Sequence, residues 1–139
     1  MSQVRAWERH YWGTFIERAT LDPHARALLQ GCRANGGRVA IVTDLTLDVQ
    51  LWKLEAWGIL PLIDALVVSE EVQNDKPDPA SMRLAMQRLG NVDAASCVMI
   101  GDSESKDGEA ARSLGIPFYL VGGKHGQSLV EIGRRSEER

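Results

Sequence analysis

Two cysteines in 139 residues, Cys32 and Cys97, are too few for a disulfide framework. Both lie in apolar or helical contexts, so a reducing, cytoplasmic setting is expected. No apolar run approaches the roughly 20 residues that cross a bilayer; a stretch such as 65–68 (ALVV) has only strand length. The first ten residues carry charges and large aromatics where a secretory leader would be continuously apolar, so no leader is expected. A formal net charge of -3 gives no bulk attraction to nucleic acid or to an anionic membrane surface. Internal repeats and low-complexity linkers are also missing, apart from a charged tail at 136–139 that is expected to fray. What is present, 44% apolar and 25% charged residues with ordinary glycine and proline use, fits a globular chain with one core.

Two kinds of segment alternate along that chain. Short apolar, β-branched runs recur at 38–43, 65–69, 96–101 and 117–121, each bounded by Gly, Pro or polar residues, and predict four buried parallel strands. Between them the spacing is helical. Asp22-Pro23 supplies a cap and a first-turn proline for a helix whose stripe is Leu28, Leu29 and Cys32, stopped at Asn35-Gly36-Gly37. A second helix is expected over 48–57, turning Trp52, Leu54 and Ala56 or their neighbours inward. A third, opening at Asp78-Pro79, carries Met82, Ala85, Met86 and Leu89, and a fourth spans 106–114 before Gly115. Strands alternating with such helices predict an α/β fold, a Rossmann-like doubly wound parallel sheet with helices on both faces.

Residues 1–20 read differently. Trp7, Tyr11, Trp12, Phe15 and Ile16 recur at helical spacing, giving a terminal helix with an aromatic stripe. That stripe is either core or a face kept for another chain. The expected organisation is an aromatic N-terminal helix at 1–20, a core at 21–123, and a C-terminal helix with a charged tail at 124–139.

Ligands of open parallel sheets bind beyond the carboxyl ends of the strands. There the sequence is polar: Thr43-Asp44 after the first strand, Ser69-Glu70-Glu71 and then Lys76-Pro77-Asp78-Pro79 after the second, Gly101-Asp102 through Asp107 after the third. A threonine hydroxyl can donate to a phosphoryl oxygen, and a lysine brings full positive charge to the same dianion. Asp102 can offer hard carboxylate oxygen to Mg²⁺, and Asp107 can orient a metal-bound water or the lysine. Singly these are ordinary features: threonines end strands, Lys-Pro makes turns, and aspartates cap helices. Together, and in this order, they are specific.

On Thr43, on Lys76 in Lys-Pro-Asp-Pro, and on Asp102 and Asp107 in Gly-Asp-Ser-Glu-Ser-Lys-Asp, the chain resembles the haloacid dehalogenase (HAD) superfamily, in its phosphatase and dehalogenase-like branch, from about residue 21 to 121. The resemblance implies that Thr43, Asp44 and Lys76 hold a phosphoryl group, that Asp102 and Asp107 form the Mg²⁺ site, and that Thr43, Lys76, Asp102 and Asp107 serve catalysis. Other phosphate folds fit less well. A receiver domain would place its acidic pair ahead of the threonine, and a dinucleotide fold would need Gly-x-Gly-x-x-Gly after a first strand, whereas 122–126 (GGKHG) follows the last one and reads as a loop.

One part of the resemblance is missing. The family's first motif, Asp-x-Asp-x-Thr at the end of a first strand, supplies its nucleophile, and nothing here matches it; the first aspartate, Asp22, precedes a helix. The N-terminal helix resembles the end of the cap that follows that motif. The family's strand order, 5-4-1-2-3, puts the missing strand between those ending at Thr43 and Asp102. Buried backbone groups left unpaired there would cost about 1–3 kcal/mol each. Three arrangements are open: a partner chain supplies the strand and its aspartate; the flanking strands pair directly or the chain dimerises, giving a catalytically inactive binding or assembly subunit; or the chain is a fragment of a longer enzyme. The four retained motif residues favour the first, a split HAD-type hydrolase that works as an oligomer and is inactive alone.

Overall fold

The computed structural model describes residues 2–137, so the charged tail beyond lies mostly outside the described residues. Helix α1 (Ser2–Arg18) and α2 (Pro23–Ala34) precede β1 (Ala40–Thr43) and α3 (Leu47–Ala56). Then come β2 (Ala65–Val68), the short α4 (Ser69–Val72), α5 (Ala80–Arg88), β3 (Met99–Gly101), α6 (Glu109–Ser113), β4 (Phe118–Leu120) and α7 (Leu129–Glu137). All four predicted strands and all the predicted helices are present. The strands are shorter than the apolar runs because backbone hydrogen bonds, not hydropathy, bound them: Ala94–Ser96 folds as a 3-10 turn, and Ser69 already opens α4.

Local chemistry places the helix ends where the sequence put them. The Asp22 side chain accepts from the His24 N–H at 2.8 Å, capping α2 with Pro23 in its first turn. After Asn35, Gly36 turns the chain with a φ of 76°, a conformation that costs glycine little. On α3 the buried residues are Val49, Gln50 and Leu54, whereas Trp52 and Ala56 are exposed, correcting the expected inward face. The reason is α1, which lays Gly13 against the Trp52 ring and buries Ile16, so Trp52 serves as a landing for a helix instead of as core.

Topology carries the main finding. β1 pairs in parallel with β2, and β3 with β4, but among the described residues β1 and β3 form no ladder, so the layer consists of two two-stranded half-sheets. In a parallel strand, alternate residues direct their N–H and C=O to opposite flanks. The Val39 carbonyl bonds the Asp64 and Ala65 amides of the β2 side, so Ala40 and Val42 face the other way. Likewise Met99 and Gly101 bond the β4 side, which turns Ile100 outward. A shared core still joins the halves: Met82, Ala110, Ala111 and Ile116 are buried, with Val42 of β1, Met99 of β3 and Phe118 of β4 packed against them. Burying such side chains contributes about 1.5–3 kcal/mol each for the larger ones.

Candidate functional site

Thr43, Asp44, Lys76 and Asp107 meet at the carboxyl ends of the strands. The Lys76 ammonium pairs with the Asp107 carboxylate at 2.6 Å, with only 10% and 7% of the two side chains exposed. It also donates to the Val42 carbonyl at 3.3 Å, on the flank of β1 that faces away from β2. The second Asp107 oxygen accepts from the Ser103 N–H at 3.2 Å. Gly101 is what lets this carboxylate approach β3: a methyl group there would collide with Asp107. A charge so enclosed persists only when paired and hydrogen-bonded, and Lys76 is both.

Asp44 completes the group. Its Oδ1 accepts from the Lys76 backbone N–H at 3.4 Å, and its Oδ2 lies 3.6 Å from the Lys106 ammonium. Thr43 Oγ1 accepts from the Leu45 N–H at 3.1 Å, a turn contact that leaves its own hydroxyl hydrogen available to donate. The sequence gives Lys106 no role beyond standing directly before Asp107; its partner Asp44 becomes visible only once the strand ends are brought together. Glu71, one of the polar residues after the second strand, is not part of the group. It caps the Val68 N–H and pairs with Arg88, which also donates to the Leu66 carbonyl, so these charges finish the outer flank of β2.

Asp102 stands differently from the rest. It is exposed, and among the described residues no hydrogen bond or ion pair takes up its carboxylate. It lines an open depression of about 510 Å³ together with Asp22, His24 and the 121–129 loop. The sequence marks Asp22 only as a helix cap and gives His24 no role. Among the described residues no three His, Cys, Asp or Glu side chains stand together as a metal cage. Mg²⁺ is commonly held by one or two carboxylates with substrate phosphate and water completing its shell, and Asp102 fits one such share. Asp107, expected beside it as a metal residue, has both oxygens engaged by Lys76 and Ser103, so its immediate task is to hold the lysine.

Parallel strands wound with helices, with polar groups gathered at their carboxyl ends, define a Rossmann-like α/β domain. The profile of haloacid dehalogenase-like hydrolases matches residues 3–121, and the chain belongs to that family. It is 34% identical over 126 residues to a ribulose-1,5-bisphosphate 5-phosphatase of Halopiger xanaduensis, covering 91% of this chain and 52% of that protein. It is 36% identical over 118 residues to a phosphoglycolate phosphatase of Cupriavidus necator, covering 85% and 50%. The chain thus spans about half the length of these relatives. Its fold matches that of the HAD phosphatase from Thermococcus onnurineus with a TM-score of 0.82 at 24% identity, over 93% of this chain and 64% of that one. Among the described residues, no helix is long and apolar enough to cross a membrane.

Proposed function

We infer that the chain supplies the phosphate-holding and Mg²⁺-binding half of a phosphatase-type hydrolytic site, and that the attacking aspartate comes from a partner chain. The observation that carries this reading is the buried Lys76–Asp107 pair, set beside Thr43 at the strand ends of a chain whose relatives are phosphatases. Thr43 donates its hydroxyl hydrogen to a phosphoryl oxygen. Lys76, oriented by Asp107 and by the Val42 carbonyl, offsets the phosphoryl charge with a group that needs no reorganisation. Bound Mg²⁺ would supply further charge neutralisation, with Asp102 as its carboxylate from this chain. The substrate class is a phosphorylated small molecule.

Among the described residues no strand pairs with β1 on the side away from β2 or with β3 on the side away from β4, which supports a strand arriving from outside these 139 residues. The aromatic face of α1 supports association: Trp7 is 79% exposed, Tyr11 65% and Phe15 48%. Unpaired Cys32 and Cys97 fit a reducing cytoplasm. The same exposed face favours a second reading, an inactive assembly subunit that binds its partner without turnover.

The test is hydrolysis of p-nitrophenyl phosphate with Mg²⁺. The pure chain is expected to be silent. A native assembly containing a second polypeptide is expected to turn over and to lose activity in Asp102→Asn. Turnover by the pure chain, abolished in Asp102→Asn, would refute the need for a partner. A silent native assembly would favour the second reading.

A further inference from the structure

Asp44 puts a negative charge where a phosphate site is hurt by one. It directly follows Thr43, and its carboxylate accepts from the backbone of Lys76, the residue whose ammonium is to meet the phosphoryl group. The Lys76 charge is in turn already matched by Asp107. Counting only these side chains and Lys106, two ammonium groups stand with two carboxylates, and the quartet offers an arriving dianion no net attraction. Positive potential has to be released within it.

Only one of the two lysines is placed to move. The Lys76 ammonium is enclosed, donating to the Val42 carbonyl and to the Asp107 carboxylate. The side chain of Lys106 is 56% exposed, and its separation from Asp44, 3.6 Å, is that of a loose ion pair. Its backbone, by contrast, is fixed: the Lys106 N–H donates to Ser103 Oγ at 3.2 Å within the turn Glu104–Gly108 that also carries Asp107. A flexible four-carbon stem rooted next to Asp107 and ending at Asp44 can reach an anion lying between Thr43 and Lys76.

We propose that Lys106 is a second phosphate-recruiting cation, parked on Asp44 in the resting chain and transferred to the phosphoryl oxygens when phosphate binds. This rests on the reading that Thr43 and Lys76 hold phosphate, and it adds to that reading a residue and a counter-ion. Asp44 then acts as a counter-ion that holds Lys106 in the resting chain and competes with phosphate for it, and it is left with its Lys76 N–H contact once the ammonium moves.

Titration of the full chain with inorganic phosphate at low salt and neutral pH, followed by calorimetry, tests it. Lys106→Gln should weaken binding on the order of tenfold, the loss of one charge-assisted hydrogen bond, and Lys106→Arg should restore most of it. Asp44→Asn should tighten binding, and adding Lys106→Gln to Asp44→Asn should undo the gain. A clasp that merely ties strand ends together requires the opposite pattern, with Lys106→Gln and Asp44→Asn weakening phosphate alike; that result, or no effect of either, overturns the proposal. Lys76→Met, with its native fold confirmed by circular dichroism because it strands the Asp107 charge, separates the two levels. If phosphate binding is absent from the wild type or survives Lys76→Met, the phosphate-holding reading itself fails. If Lys76→Met abolishes binding while the Lys106 and Asp44 variants do not diverge, that reading stands and the transfer does not.

Discussion

An ammonium group as enclosed as that of Lys76 cannot be held by packing alone, because its desolvation must be offset by the groups that face it. Asp107 and the Val42 carbonyl do this, and they draw on both half-sheets. Removing one partner of a buried pair leaves the other charge stranded, at about 3–5 kcal/mol, whereas replacing both by apolar groups of similar volume is often close to neutral. Asp107→Asn is therefore expected to lower the urea-unfolding free energy by much of a stability that is typically about 5–15 kcal/mol. The double variant Lys76→Met/Asp107→Leu should be distinctly more stable than Asp107→Asn. Equal losses in the two would mean that the pair is not the electrostatic unit described. The sequence shows these residues through their motif order, but not their burial, nor that Asp107 spends both oxygens on Lys76 and Ser103. Those are consequences of Gly101, whose missing side chain is legible only as a letter until the carboxylate lies against it.

At the level of elements, helix placement was written in caps and stripes, while faces and strand ends depended on partners distant in sequence. Trp52 shows the difference: its period suits a core position, but α1 returns over it and a surface residue of α3 becomes a helix contact. Beyond the strand-end pairs, two further joints between elements are ionic. Asp64 binds Arg33 of α2 at 2.7 Å and the Val39 N–H at 2.8 Å, and these contacts, the arginine first, hold its carboxyl below the usual range. Glu71 is likewise held low, first by Arg88 and then by the Val68 N–H. A carboxylate whose folded pKa lies below its unfolded value stabilises the fold above the unfolded value, about pH 4, and loses that contribution as the pH falls through the folded one. The thermal midpoint is thus expected to drop on acidification below about pH 4–5, and Asp64→Asn with Glu71→Gln should flatten that limb while lowering the midpoint at neutral pH. An acid limb of unchanged steepness in the double variant would assign it to other groups.

For the whole molecule, four parallel strands could be read from the sequence, and so could a vacancy between two of them, because the resemblance placed a missing strand there. The retained motif residues favour a strand supplied from outside, but strand length and hydropathy do not decide it, since direct pairing of β1 with β3 and the lack of such pairing use the same residues. Among the described residues the half-sheets form no ladder with each other, and they are joined by the core around Met82, Ala110 and Ala111 and by the Lys76–Asp107 and Lys106–Asp44 pairs across their ends. This state makes a prediction at single-amide resolution. In the isolated chain the N–H groups of Ala40, Val42 and Ile100, directed toward the open flanks, should exchange with solvent deuterium far faster than that of Met99, which is bonded to Pro117, or that of Ala65, bonded to Val39. A strand inserted by a partner would have to take up those same groups, so the three fast amides should become slow together in the assembled complex and nowhere else in β1 or β3 should the change be as large. If they are already slow in the isolated chain, the two flanks have found each other or a second copy, and the room that a catalytic strand requires is closed.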